Sequence, residues 1–261
     1  MKKGILIISH GSRDAGWVKL VDEAVKSAAG RIRGRSRDDV PVVSAFLEIV
    51  AGRLIQDGID ELEAEGVTDV YVLPFFVSSG STHVDDIAQA FGFPPVSPAR
   101  SGELAQFRLS SGMRVRFGRP IGDDEAIAAL LLEQIRELTD NPAHEALLLV
   151  AHGSSEPAFY DRWQAEMSLL AGRLRALGGF AAADTALLLP DQAAGKLLAM
   201  QRQHPENAVI VVPLFLSSGY FTRTVIPQRL AGFDYRYNGC GLLPHEGIVH
   251  WLERQITDGL Q

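Results

Sequence analysis

Two imidazoles and a carboxylate can bind a borderline divalent cation, leave coordination positions open and accept protons. His10, Glu48 and His83 supply that set at three places that read as the ends of buried strands: Ile8-Ser9-His10-Gly11, Ala45-Phe46-Leu47-Glu48, and Pro74-Phe75-Phe76 running on to Gly80-Ser81-Thr82-His83. This is not a compact metal motif, so the three meet only if the fold gathers distant strand ends. Each also has a plainer reading. His10 lies in His10-Gly11-Ser12, where the glycine permits a tight turn and the serine can cap the following helix. Glu48 can pair with an arginine, and His83 can cap a helix opening at Val84-Asp85-Asp86-Ile87.

An internal repeat organises the chain and supplies a control. Gly4–Arg13 returns as Ala146–Ser155, carrying His10-Gly11-Ser12 over to His152-Gly153-Ser154. Val70–Gly80 returns as Val209–Gly219, so Pro74 recurs as Pro213 at nearly the same offset. A weaker match pairs Val115-Arg116-Phe117 with Tyr235-Arg236-Tyr237. What both copies keep can be needed for the fold alone, whereas chemistry present once needs another reason. Ala45-Phe46-Leu47-Glu48 corresponds to Ala186-Leu187-Leu188-Leu189, and Gly80-Ser81-Thr82-His83 to Gly219-Tyr220-Phe221-Thr222. Only the first copy carries His10, Glu48 and His83 together.

The elements that position these residues follow from periodicity. Ile5–Ser9, Val42–Leu47, Val70–Pro74 and Val115–Phe117 are short apolar or β-rich runs of the buried parallel type. Asp14–Ala29, Ala51–Glu65 and Asp123–Leu138 space their apolar residues as helices do. The second copy predicts strands at Leu147–Ala151, Thr185–Leu189, Val209–Pro213 and Tyr235–Tyr237. Such alternation gives an α/β fold with parallel sheets flanked by helices, and ligands then sit beyond the carboxyl ends of the strands. Turn residues at Thr139–Ala143 mark a boundary, dividing residues 1–140 from a degenerate repeat at 141–261.

Bulk properties narrow the classes. The chain has 261 residues, 46% hydrophobic and 22% charged, with a formal net charge of -7. That charge argues against general binding of nucleic acid or anionic membranes. The single cysteine, Cys240, excludes an intramolecular disulfide and reads as a small core residue. Lys2 and Lys3 precede only the short run Ile5–Ile8, below the roughly 7–15 residues of a signal core, and no stretch approaches the ~20 of a membrane span. The expectation is a cytoplasmic protein, with a monomer sufficient because one chain imitates a dimer of single units.

With these motifs in order, the sequence resembles the class II chelatases, the sirohydrochlorin cobaltochelatases and ferrochelatases of the CbiX and SirB type, in their long two-half form. The resemblance covers most of the chain. It rests on His10-Gly11-Ser12-Arg13, on Phe46-Leu47-Glu48, on Pro74 through His83 with Asp86-Ile87, and on Phe117 through Gly122. It implies two flavodoxin-like domains related by duplication, with the active site in the first. It implies insertion of Co2+ or Fe2+ into sirohydrochlorin or a related tetrapyrrole, on routes to sirohaem or cobalamin. The divalent metal (Co2+, Fe2+ or Ni2+) is then a substrate, with no permanently bound cofactor. His10, His83 and Glu48 become the catalytic and metal-binding residues. Asp86 either orients His83 or places a charge at the helix start. Ser12, Arg13, Ser79, Gly80, Ser81 and Thr82 are the candidate donors for a carboxylate-rimmed disc. Phe75, Phe76 and Phe215 read as core, and Arg100, Arg114 and Arg116 as solvated. Two departures stand out: Ala88 occupies a position often proline, and His152 persists without its partners.

Two rivals come from other classes. A histidine phosphatase carries arginine before its histidine, but Ser9 precedes His10 here. A non-catalytic carrier of metal or tetrapyrrole would use the same residues, and turnover separates it from an enzyme.

Overall fold

The computed structural model describes residues 1–33 and 40–261. Strands and helices alternate along it: β1 (Lys3–Ser9), α1 (Ala15–Arg33), β2 (Val42–Phe46), α2 (Ile55–Ala64), β3 (Asp69–Pro74), α3 (Thr82–Ala90), β4 (Arg114–Phe117) and α4 (Glu125–Ile135). Then follow β5 (Glu145–Gly153), α5 (Pro157–Gly178), β6 (Ala182–Leu189), α6 (Ala193–Gln203), β7 (Ala208–Pro213), α7 (Ile226–Arg229) and α8 (Glu246–Gly259). Among the described residues no helix is long and apolar enough to cross a membrane.

The first sheet is parallel, in the order β2-β1-β3-β4. Ile5, Leu6, Ile7 and Ile8 are fully buried. This is why β1 reads as a continuous apolar run: it is a central strand covered on both faces. Leu6 and Ile8 join Val43, Ala45, Ile59, Leu62, Val72 and Ile87 in one core. The order places a reversal between β1 and β3, the crevice where ligands of such sheets bind.

The second sheet runs β6-β5-β7, again parallel, over a core that includes Leu148, Val150, Ala186, Leu197 and Val211. Its expected fourth strand, Tyr235–Tyr237, is reduced to a single bridge between Ile210 and Arg236. Two bonds hold it, Val211 N–H to Arg236 O at 2.9 Å and Arg236 N–H to Val209 O at 2.8 Å. The side chains anchor sideways instead: Arg236 reaches Glu145 at 2.8 Å and Asp140 at 2.9 Å, and the Tyr237 hydroxyl donates to Thr222 O at 2.6 Å. The turn that follows leaves Cys240 exposed rather than in the core.

The compact units do not follow the sequence repeat. One comprises Met1–Pro120 with Ile248–Gln261, the other Ile121–Gly247. In the first, Trp251 of α8 stacks on Phe75 with ring centroids 6.0 Å apart, and Arg31 lies 3.9 Å from Glu253. In the second, α4 packs on α5, and Arg173 of α5 bonds Asp123 at 2.9 Å just before α4. Each copy therefore contributes its last helix to the other copy's unit. Duplicated sheets present equivalent surfaces, so an amphipathic pattern specifies that a helix packs without specifying on which copy.

Candidate functional site

His10 follows β1 directly, and the chain past β2 is tied to it. Leu47 N–H donates to Ser9 O at 2.8 Å and Glu48 N–H to His10 O at 3.1 Å, carrying the pairing of the two strands two residues further. Gly11 lies at φ +100°, and a Cβ there would overlap the Glu48 carbonyl. Gly153 repeats this against Leu189, so the glycine of His-Gly-Ser survives in both copies because two backbones meet there. The serines act one step earlier than a helix cap. Ser12 Oγ accepts Asp14 N–H at 3.0 Å, and Asp14 then caps α1 by accepting Gly16 N–H at 2.8 Å.

Immediately after Glu48, Ile49 has φ +73° with its side chain about half exposed (48%). A β-branched residue in the left-handed region is costly, and such strain is kept where the surroundings impose it. Nothing in the composition of Glu48-Ile49-Val50 announces it. Arg53 is committed to Asp22 through two 2.7 Å bonds, and Glu48 lies 3.6 Å from His10 Nδ1 instead.

His83 comes from the loop after β3. Ser78 Oγ accepts Gly80 N–H at 2.9 Å, Ser81 sits extended at the N-cap of α3, and His83 is the second residue of the helix rather than its cap. Beneath it lies a pairing not anticipated from sequence. Arg100, expected in solvent, is 12% exposed and holds Asp86 at 2.5 and 3.2 Å and Asp85 at 3.1 Å. Asp86 also accepts Glu103 N–H at 3.1 Å. It anchors α3 to the loop ahead of β4 and acts on His83 through its charge. The signal available was Asp85-Asp86 themselves, since two adjacent carboxylates on a buried helix need a cation. Arg116 is likewise paired, 3.0 Å from the buried Asp69, whereas Arg114 is exposed.

These elements bring the three predicted residues together. The His10 and His83 rings meet edge to face, centroids 4.8 Å apart and planes 77° to one another. Glu48 Oε1 is 3.6 Å from His10 Nδ1, which also lies 3.2 Å from the Gly11 carbonyl oxygen. A carbonyl only accepts, so this contact favours the proton on Nδ1 and leaves Nε2 as the ring nitrogen open to a ligand. Burial lowers the pKa of His83 below its ordinary 6.5 and the neighbouring His10 lowers it further, against the opposing charges of Asp86, Glu48 and Glu103. His83 is therefore a neutral base at pH 7. Glu48 faces the Nδ1 side of His10, and among the described residues no group of three or more His, Cys, Asp and Glu forms a metal-holding cluster. The arrangement is two imidazoles with a carboxylate behind one of them, suited to a cation in transit.

Around this centre, Ser12, Ser79, Ser81 and Thr82 are half-buried and Arg13 is exposed, while Gly80 is buried in the turn. Phe75 and Phe76 are buried as expected, Phe76 with its ring 6.5 Å from His83.

The second copy keeps the frame without counterparts of Glu48 and His83. His152 meets Phe221, centroids 5.0 Å apart at 84°, the geometry that His10 makes with His83. The sequence repeat aligns Thr222 with His83. The structure shifts the match by one, because Tyr220 is already helical where Ser81 is still extended.

The CbiX family profile matches residues 4–138 and again 146–258, and the chain belongs to that family. A sirohydrochlorin ferrochelatase from Priestia megaterium is 26% identical over 263 residues, covering 97% of this chain and 88% of its own. A sirohydrochlorin cobaltochelatase from Methanococcoides burtonii is 26% identical over 137 residues, which are 52% of this chain but 97% of that one. Among solved structures, SirB from Bacillus subtilis with Fe3+ superposes with a TM-score of 0.75 at 16% identity, covering 99% and 96% of the two chains.

Proposed function

We infer that this protein inserts a divalent metal ion, Co2+ or Fe2+, into sirohydrochlorin or a closely related tetrapyrrole, as a cytoplasmic step towards sirohaem or cobalamin. The observation that carries the reading is the His10–His83 pair, 4.8 Å apart at the strand ends of the first copy, with Glu48 at His10 Nδ1. Insertion replaces two pyrrole N–H bonds with two metal–nitrogen bonds, so two protons leave the macrocycle while the metal sheds water. A neutral His83 and the Nε2 of His10 supply lone pairs for the metal and for those protons. Glu48 fixes the His10 tautomer and passes protons to solvent, its side chain being 54% exposed. That narrows the three-ligand expectation to two imidazoles with a supporting carboxylate. Ser12, Arg13, Ser79, Gly80, Ser81 and Thr82 are the groups proposed to receive the substrate's carboxylates.

The test is turnover. Purified protein mixed with sirohydrochlorin and Co2+ or Fe2+ should change the absorbance spectrum faster than a protein-free control; equal rates would refute the reading. His10→Ala and His83→Ala should each cut the rate at least about 100-fold. Near-normal rates in both would place the chemistry elsewhere.

A further inference from the structure

We propose that the strand ends of the second copy form a second tetrapyrrole site, one that receives the macrocycle with its metal already in place. The proposal rests on the tetrapyrrole reading above and assigns a role to His152, which that reading leaves unused. In the first copy, His10 faces a second imidazole and a carboxylate. In the second, Phe221 stands in the ring position of His83, and Leu189, 45% exposed, stands where Glu48 is. The carboxylate and the second imidazole are both gone. One exposed imidazole remains.

A single neutral donor is a poor site for a hydrated cation, which needs several ligands at once. It suffices for a metal whose four equatorial positions are already filled by a macrocycle, where one axial imidazole completes the coordination. His152 is set for that role. Its Nδ1 lies 3.1 Å from the Gly153 carbonyl oxygen, which can only accept; the contact favours the proton on Nδ1 and leaves Nε2 as the nitrogen available to ligate. An axial imidazole stands perpendicular to the macrocycle it binds. The Phe221 ring is at 84° to His152 and lies stacked on Phe215 at 5.5 Å and 14°, which allows a disc on Nε2 to run parallel to an aromatic surface. Tyr220, 69% exposed, stands at 66° to Phe221 with its ring 5.7 Å away, an aromatic wall at the border of that surface. Arg223, exposed on the same turn, has the charge a carboxylate rim requires. Where the first site has a second imidazole and a carboxylate, this one has a stacked phenylalanine pair beside a single imidazole.

The experiment uses cobalt(II)-sirohydrochlorin prepared chemically, titrated into the full-length protein and followed by visible absorption and electron paramagnetic resonance. Low-spin Co2+ with one axial nitrogen shows nitrogen hyperfine splitting, which reports imidazole ligation directly. We expect that splitting in the His10→Ala/His83→Ala double variant, where neither first-site imidazole remains. We expect its loss when His152→Ala or His152→Gln is added to that double variant, together with at least a tenfold weaker affinity; Phe221→Ala in the same background should weaken binding and keep the splitting. Metal-free sirohydrochlorin should bind His152→Ala as it binds the unaltered protein. Because His152 is exposed, both substitutions should leave the circular dichroism spectrum unchanged, and a variant failing that check is replaced by the other. Splitting that persists when either His152 substitution is added to the double variant, or that is absent from the double variant itself, overturns the proposal. Failure of metal insertion with His152 ligation intact would instead refute the first-site reading.

Discussion

At the scale of single residues, the site depends on protons held off one ring and on strain held beside another. Burial keeps His83 unprotonated below its ordinary 6.5. In the folded protein its imidazole resonances should titrate with a midpoint under that value, as nuclear magnetic resonance can show, and insertion should fall in acid as this base is lost. The stability effect has a definite sign. The unfolded chain binds more protons than the fold below 6.5, so stability tied to this group is complete above that pH and declines as pH drops beneath it. His83→Ala should flatten that decline in denaturant titrations at pH 5 and pH 7. Ile49 gives a second test. Its φ of +73° costs about 1–2 kcal/mol for a branched residue, and its half-exposed side chain returns little. Ile49→Gly should therefore raise the unfolding midpoint by about 0.5–1 kcal/mol after its own entropy cost, while slowing insertion because Glu48 is held less firmly. A loss of stability would show that the strain is not there.

Among the elements, α3 is the one whose position is secured by charge. Asp85 and Asp86 are buried, and Arg100 answers both from the loop ahead of β4. Removing the guanidinium leaves two buried carboxylates without that partner, which typically costs about 3–5 kcal/mol. Arg100→Ala should lose stability of that order by chemical denaturation and shift His83 with α3. Arg100→Lys should recover little, because a point charge does not reproduce the forked contact with Asp86. The sequence displayed the carboxylate pair but not its partner: Arg100 lies 14 residues on from Asp86, past the end of α3 in irregular chain, where no periodicity relates one side chain to another.

For the whole molecule, the exchange of terminal helices makes the sequence halves and the compact units different objects. Phe75, in the loop that leads to His83, is fully buried and stacked on Trp251, from the far end of the chain. Trp251→Ala should cost about 3–5 kcal/mol as a buried aromatic truncation and should depress activity despite its distance in sequence. A fragment of residues 1–140 lacks Ile248–Gln261 and with it the helix that completes the first unit. It should be less stable than the full chain in thermal unfolding and more prone to aggregate, and it should recover activity when a peptide of residues 246–261 is supplied. Equal stability of fragment and full chain would mean that α8 contributes nothing there.

The sequence by itself determined much of this protein. Apolar runs fixed seven of the eight expected strands, since burial on both faces is written directly into composition. Duplication, by deleting Glu48 and His83 from its second copy, singled out the three residues that the fold then brings together. Tertiary structure alone decided the rest. It turned Glu48 towards His10 Nδ1, set Phe221 rather than Thr222 against His152, reduced Tyr235–Tyr237 to one bridge, and gave each terminal helix to the other copy. Local pattern states whether a residue is apolar and in what period. Which of several equivalent surfaces it meets, and which atom of a ring faces its partner, are settled by packing across the chain.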